Sequence, residues 1–437
     1  MATPRTRRGL VPATAPPLDE IFAVNGAYVA DTDATKVNLS VGVYRTNDGQ
    51  PWPLPTIEAV EHEGQAKPSP FRHEYLTIQG DVAFLGLARD LAFDVDEEDA
   101  AEKQAAQPAD DAVPDTATHV REQPGRIVSV QTVSGTGANH MGAKYLAAYV
   151  QPGHVWLPAP TWANHYAIWE LEGLEARMYP YFDPVTRGVD FAGMLQALEQ
   201  ADEGDVVLLH ACAHNPTGAD PTPQQWRQVA DLCERRKLVP FFDLAYQGFA
   251  SGDVATDAWA VRHFYGRPQL EFLLAQSFSK NFGLYGQRAG ALHIVLRADA
   301  DPTAHGVVLA NACQLIRGEY SMAPRAGSDL VRSVLQVPAL RRQWKADLVT
   351  MSGRIKAMRK ALYEELVRLG TPGSWVHIVN QIGMFSYTGL TEAQVAAVRT
   401  KYHVYLISSG RISISGLTTE NVAHVAKAFD DVVRTVN

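Results

Sequence analysis

Lys280 stands in the run Ser277-Phe278-Ser279-Lys280-Asn281-Phe282-Gly283-Leu284-Tyr285-Gly286-Gln287-Arg288-Ala289-Gly290, just after two serines and ahead of two glycines and an arginine. An amine so placed can form an imine with a carbonyl cofactor while Ser277 and Arg288 hold a phosphate on the same molecule. Pyridoxal 5′-phosphate carries both groups. In isolation, a lysine beside Ser, Asn and Gly is ordinarily a solvated loop residue, because lysine is rarely buried without a partner. The flanks argue otherwise: Phe272 to Ala275 and Ala291 to Leu296 are apolar runs, so Lys280 is predicted to lie between two core strands.

Such an amine needs elements to hold it. Ile127-Val128-Ser129-Val130 reads as a strand, Ser134-Gly135-Thr136-Gly137 as a small-residue turn, and Met141, Tyr145, Leu146 and Val150 as a helical pattern. That order makes an anion site, because unpaired N–H groups and the helix dipole point at the turn. The same turn equally serves many α/β proteins for close packing alone. Val206 to His210 and Leu238 to Phe242 read as buried strands. Between them Thr222, Pro223 and Gln225 resemble a cap, a first-turn proline and a capping-box partner, opening a helix whose Trp226, Val229, Ala230 and Cys233 share a face. Strand, helix, strand implies a parallel sheet with active residues at the carboxyl ends of its strands.

Asp243 follows Phe241-Phe242 at such an end. An isolated aspartate there usually caps the next turn. Pyridoxal chemistry asks for more: a buried anion must keep the pyridine nitrogen protonated so that the ring can accept electrons. Asp243 fits that demand, and Asn215 and Tyr246 can donate to the ring's phenolic oxygen.

The Lys280 segment, Asn38-Leu39-Ser40-Val41-Gly42-Val43-Tyr44-Arg45, Ala213-His214-Asn215-Pro216-Thr217-Gly218 and Ser409-Gly410-Arg411 together resemble the class I aspartate and aromatic aminotransferases, a branch of the fold type I pyridoxal phosphate enzymes. The likeness covers nearly the whole chain. It implies an α/β fold with a mostly parallel central sheet flanked by helices, and a smaller α/β domain. It also implies that Ser134, Gly135 and Thr136 bind the phosphate, that Trp162 stacks on the pyridine ring, and that His165 steadies the group at the ring nitrogen. Arg411 would bind the substrate's α-carboxylate, with Gly42 closing over it. Tyr75, in Glu74-Tyr75-Leu76-Thr77-Ile78, would contact the phosphate of the neighbouring subunit, and Arg317 would reach across the dimer to the distal carboxylate of aspartate or glutamate. Guanidinium meets carboxylate with two parallel hydrogen bonds, which selects by geometry as well as charge. Tyr285 lies near the lysine by sequence and is a candidate to touch the pocket as well. The likeness breaks at Met322-Ala323, where the family more often has Asn-Pro, and this leaves room for an aromatic or other donor.

The length of 437 residues exceeds what one core supports. The expected division is an N-terminal arm over 1–17, a small domain over 18–52 plus 349–437, and a large cofactor-binding domain over 53–348. From Val349 the positions Ile355, Met358, Leu362, Leu366 and Leu369 predict a long helix in the small domain. At about 93–125 the composition turns acidic, with Asp94, Asp96, Glu97, Glu98, Asp99, Asp110, Asp111 and Asp115, and predicts an exposed or mobile insertion peripheral to the chemistry.

Hydrophobic residues make up 46% of the chain and no apolar run reaches membrane-spanning length, which excludes a transmembrane protein. A net charge of -9 argues against a nucleic-acid binder. Cys212, Cys233 and Cys313 are too scattered for a zinc site, so no metal is expected and the thiols read as reduced and intracellular. Arg5, Arg7 and Arg8 suggest a mitochondrial transit peptide, but Pro4, Pro12, Pro16 and Pro17 oppose its amphipathic helix. The cytoplasm is the expected location.

The activity expected from this resemblance is transfer of the amino group of an L-amino acid, aspartate or glutamate first, to a 2-oxo acid by a ping-pong mechanism, with Lys280 as the proton carrier. A homodimer with shared active sites is implied. An aromatic or other specialised donor, a lyase or decarboxylase on the same scaffold, and a noncatalytic sensor of the cofactor are the alternatives.

Overall fold

A computed structural model of the chain describes residues 19–66, 73–93 and 125–436. The expected arm over 1–17 and nearly all of the acidic segment lie outside the described residues.

The central element is a seven-stranded sheet. In chain order its strands are β1 (Ile127–Val133), β2 (Val155–Ala159), β3 (Ala176–Pro180), β4 (Val206–His210), β5 (Val239–Leu244), β6 (Phe272–Ser277) and β7 (Ala289–Val295). Their spatial order is β1-β7-β6-β5-β4-β2-β3, with every neighbouring pair parallel except those made by β7, which runs antiparallel to β1 and β6. Strands β4, β6 and β7 are buried at every position, as expected of strands covered on both faces. Successive residues separate cleanly: Leu208, Phe241, Leu273 and Leu292 pack into one apolar cluster, Leu209, Phe242, Leu274 and Ala291 into another on the opposite face.

Helix α1 (Ser134–Tyr145) follows β1 directly and lies over β6 and β7. It comes close because Gly142 faces the sheet, where a Cβ would stand 2.4 Å from the ring of Phe241. The helical pattern expected to Val150 changes character after Tyr145, continuing as a π-helical turn over Leu146–Val150. Helix α2 (Pro223–Arg236) opens as read from the sequence, with Thr222 and Gln225 capping each other's backbone and proline in the first turn. It closes on Lys237 in the left-handed conformation.

Helix α3 (Ala304–Glu319) packs against β1 and α1. The long helix expected from Val349 begins earlier: α4 runs Pro338–Arg368 and buries Trp344, Leu348 and Met351 as well as the predicted Ile355, Met358, Leu362 and Leu366. Residue 349 thus falls inside one continuous helix. The C-terminal helix Val422–Thr435 packs along α4. Beside it, Val37–Asn38 pairs in parallel with Val404–Tyr405, and Phe385–Tyr387 pairs antiparallel with Arg411–Ser413. This brings the early Ser40–Gly42 stretch against Arg411, nearly the whole chain apart.

Candidate active site

At the carboxyl ends of β4, β5 and β6 the chain encloses a cavity of about 220 Å³. Lys280 enters it three residues past the end of β6, and Asp243 enters from β5, paired with His210 of β4 on one side and Ala275 of β6 on the other. The Nζ of Lys280 lies 5.1 Å from the centroid of the Tyr246 ring. Burial holds the Lys280 ammonium below the ordinary lysine range; Asp243 opposes that shift and Arg288 adds to it. Burial also pushes the Tyr246 phenol up.

Asp243 is buried, and its Oδ2 accepts from His165 Nε2 at 3.1 Å and from Asn139 Nδ2 at 3.3 Å. Burial works against its charge, but the His165 hydrogen bond and the nearby His165, His210 and Lys280 outweigh it, so the carboxyl lies below the ordinary aspartate value. Burial lowers His210 to about 3, so at neutral pH its ring is uncharged and the His165 hydrogen bond and Lys280 remain as the support. Thr161 Oγ1 joins the two imidazoles, 2.9 Å from His165 Nδ1 and 2.9 Å from His210 Nε2.

A cluster of hydroxyls forms the floor. Ser134 Oγ lies 2.7 Å from Ser279 Oγ and 3.3 Å from Ser277 Oγ, and Arg288 Nη1 donates to Ser279 Oγ at 3.2 Å and to the Tyr285 carbonyl at 3.0 Å. Neither partner of that guanidinium carries charge. Gly135 has no side chain because one would not fit: a Cβ there would stand 2.8 Å from Ser277 Cβ. With Thr136 and the start of α1 alongside, these donors suit a dianionic phosphate.

The opposite wall carries the second cation. Arg411 is buried, donates from Nη2 to the Ser40 carbonyl at 2.7 Å and from Nη1 to Asn215 Oδ1 at 3.4 Å, and lies 4.1 Å over the Phe385 ring. Its Nε has no hydrogen-bond partner among the described residues, and burial lowers the group to about 10. Its hydrogen-bond partners among the described residues are an uncharged carbonyl and an uncharged amide, with Glu20 and Asp19 acting on it only through space, and this fits a carboxylate ligand. Gly42 and Trp162 line the same space, with the Trp162 ring 5.1 Å from that of His165.

Tyr75 and Arg317 are placed elsewhere. Tyr75 is 87% exposed, and Arg317 at the end of α3 is bound to Ser321 Oγ. Neither lines the cavity within a single chain. They border one outer face, where Leu76 N–H meets Met322 Sδ at 3.1 Å and Arg325 Nε donates to the Glu74 carbonyl at 3.1 Å.

Sequence reading missed Asn139, Ser279, Thr161 and His210. Ser279 carried a signal, one residue before the lysine. Thr161 and His210 look like ordinary strand-end residues until the fold sets them side by side. Tyr285, expected near the lysine and as a candidate to touch the pocket, lines the cavity and accepts from Tyr44 N–H at 2.9 Å.

Fold and site together define the class of fold type I pyridoxal phosphate enzymes that transfer amino groups. The model for aminotransferase class I and II matches residues 34–429, and the chain belongs to that family. It is 52% identical to an L-tyrosine:2-oxoglutarate aminotransferase of Aspergillus ustus over 94% of this chain and 76% of that one. It is 43% identical to the cytoplasmic aspartate aminotransferase of Saccharomyces cerevisiae over 96% of this chain and 95% of that one. Among solved structures, the cytoplasmic aspartate aminotransferase of S. cerevisiae superposes with a TM-score of 0.88 at 42% identity, covering 97% of this chain and 98% of that one. The aromatic-amino-acid aminotransferase of Burkholderia pseudomallei, covalently bound to pyridoxal phosphate, gives 0.87 at 38% identity over 96% and 98%.

Proposed function

We propose that this aminotransferase moves the amino group of a dicarboxylic L-amino acid to a 2-oxo acid, through pyridoxal phosphate held by Lys280, Asp243, Asn215, Tyr246 and the Ser134–Ser277–Arg288 cradle. The observation that carries the reading is Lys280 and Asp243 facing one cavity between two guanidinium groups, Arg288 and Arg411, whose hydrogen-bond partners among the described residues are uncharged. One fits a phosphate and the other a carboxylate, so a molecule bearing each would lie between them with the lysine amine in reach.

When bound, pyridoxal phosphate supplies an electron sink for the pair left as the substrate's Cα–H bond breaks. The chain's own groups do the rest. Asp243, kept anionic by His165, would hold a proton on the ring nitrogen. Asn215 and Tyr246, which line the same cavity, would donate to the phenolic oxygen, and Trp162 would cover the ring face. Arg411 fixes the substrate's α-carboxylate, with Gly42 leaving room against the Phe385 ring, where a Cβ would stand 2.8 Å from Cζ. Lys280, its amine depressed by burial, would be the group that takes and holds the proton at the substrate's Cα. The net exchange would balance as amino acid plus a second 2-oxo acid giving the 2-oxo acid of the first and the amino acid of the second, with the water consumed in one half-reaction released in the other.

Tyr75 and Arg317 stand on an outer face away from their own chain's cavity, which supports a homodimer in which each chain lends them to its partner. Cytoplasmic residence is supported by the names of several relatives, although a mitochondrial aspartate aminotransferase of Trypanosoma brucei is also among the similar structures. The small unit over 18–52 plus 349–437 is supported by the pairing of Val37–Asn38 with Val404–Tyr405.

An aromatic donor is the second reading, favoured by Met322 beside Leu76 and by the tyrosine-specific name of one relative. A thioether offers an aromatic ring a contact that an amide does not. Spectral titration of the reconstituted protein with aspartate, glutamate, tyrosine, phenylalanine and kynurenine separates the two. Borohydride followed by peptide mapping should fix the cofactor to Lys280; a modified peptide elsewhere would refute the assignment.

A further inference from the structure

Asn139 lies one turn into α1, four residues after Gly135, and is 2% exposed. Its Nδ2 donates to the Gly135 carbonyl at 3.0 Å and to Asp243 Oδ2 at 3.3 Å. Both partners are acceptors only, and the amide nitrogen has one hydrogen for each. The amide orientation is thereby fixed, since turning it over would set Oδ1 against two acceptors. Oδ1 itself has no hydrogen-bond partner among the described residues.

Asp243 Oδ2 therefore carries two donors that arrive from different helices, Asn139 on α1 and His165 on Asn164–Leu171. Both side-chain donors to this carboxylate among the described residues act on the same oxygen, which leaves Oδ1 for a donor in the cavity. A carboxylate held at one oxygen by a single imidazole can still swing about that bond. A second donor from another direction removes the freedom. We propose that Asn139 is a positioning residue that locks Asp243 with Oδ1 turned to the cofactor's ring nitrogen and couples that orientation, through the Gly135 carbonyl, to the phosphate turn. The inference rests on the cavity being a pyridoxal phosphate site. It gives one amide two duties, because the turn that grips the phosphate and the carboxylate that grips the ring then share a strut.

The test compares the wild type with Asn139→Leu, which keeps the approximate size and loses both bonds, and with the isosteric Asn139→Asp, which sets a second carboxylate against Asp243. Pyridoxal phosphate is titrated into each cofactor-free protein across pH, and the melting temperature of each cofactor-free protein is recorded. For Asn139→Leu the cofactor dissociation constant should rise roughly 10-fold, the loss expected for a hydrogen bond to a charged group. The acid limb of binding should move to higher pH, because Asp243 protonates more readily with one donor fewer. Asn139→Asp should bind more weakly still and serves if the leucine variant does not fold. An unchanged dissociation constant and acid limb would overturn the proposal, as would a lower melting temperature with unchanged binding, which marks a packing role. If borohydride fails to trap the cofactor on Lys280 in the wild type, the site reading falls and this inference with it.

Discussion

Ser134 and Arg288 both adopt left-handed backbone conformations, with φ of 60° and 56°, and the Ser134 N–H donates to the Arg288 carbonyl at 3.2 Å. Two non-glycine residues in that region, bonded to each other beneath the hydroxyl cradle, place strain where the phosphate is proposed to sit. Left-handed geometry costs about 1–2 kcal/mol per residue, and only surroundings that over-determine the position sustain it. The gap between the two strands is kept by Gly290, where a Cβ would stand 2.5 Å from the Ser134 carbonyl carbon.

Ser134→Gly should therefore leave the cofactor-free protein near its original stability. Relief of about 1–2 kcal/mol of strain is offset by about 0.5–1 kcal/mol of extra chain entropy in the unfolded state. Cofactor affinity should drop roughly tenfold, because a hydroxyl donor to a charged phosphate is lost. Thermal melts with and without pyridoxal phosphate separate the two effects.

Lys280→Ala should still bind the cofactor through the Arg288 cradle but lose both the covalent tether and the proton carrier. Turnover should decrease by at least roughly 100-fold to 10,000-fold. Stopped-flow measurement of each half-reaction checks this, and wild-type turnover by the variant would exclude Lys280 from the chemistry.

Arg411→Lys retains charge but not the planar fork. With one hydrogen bond to the α-carboxylate lost, KM for amino donors should rise roughly tenfold or more, while cofactor affinity stays unchanged. An equal loss of cofactor affinity would show that Arg411 supports the fold of the cavity rather than the substrate.

Met322→Asn should raise the ratio of kcat/KM for aspartate over that for tyrosine, by roughly tenfold if one apolar contact to the ring is removed. The competing donors are measured side by side against 2-oxoglutarate. No change in the ratio would remove Met322 from donor selection.

His293 gives a stability prediction. It is fully buried on β7, with Nδ1 2.7 Å from Ser129 Oγ and Nε2 3.0 Å from Gln276 Oε1, and burial lowers it to about 3. Below the unfolded value of about 6.5 the unfolded chain takes up a proton that the folded chain refuses, so stability falls as pH drops from about 6.5 toward 3, at up to about 1.4 kcal/mol per pH unit for this group. His293→Gln should cost stability at neutral pH and flatten the acid slope by up to one proton, read from denaturant melts between pH 7 and 4.

Much of this molecule is legible without coordinates. The β6 and β7 runs on either side of Lys280, the capping box at Thr222 and the strand ending at Asp243 are local patterns, set by residue type and short-range spacing. Helix α4 was recognised but started too late, because Trp344 and Leu348 continue its buried face while the polar residues between them hide the period. Residues such as Thr161 and His210 gave no signal, since a threonine and a histidine 49 positions apart acquire a role only when β2 and β4 lie side by side.

By itself the sequence determined the chemistry available: an amine between core strands, a carboxylate at a strand end, arginines for two anions, and the turns and caps that local sterics demand. Tertiary structure alone decided which of these groups meet. Asn139 against Asp243, Ser40 against Arg411 and Ser134 against Ser279 join residues from 104 to 371 positions apart. Such contacts follow from how whole elements pack their apolar faces, and no short window of sequence contains that information.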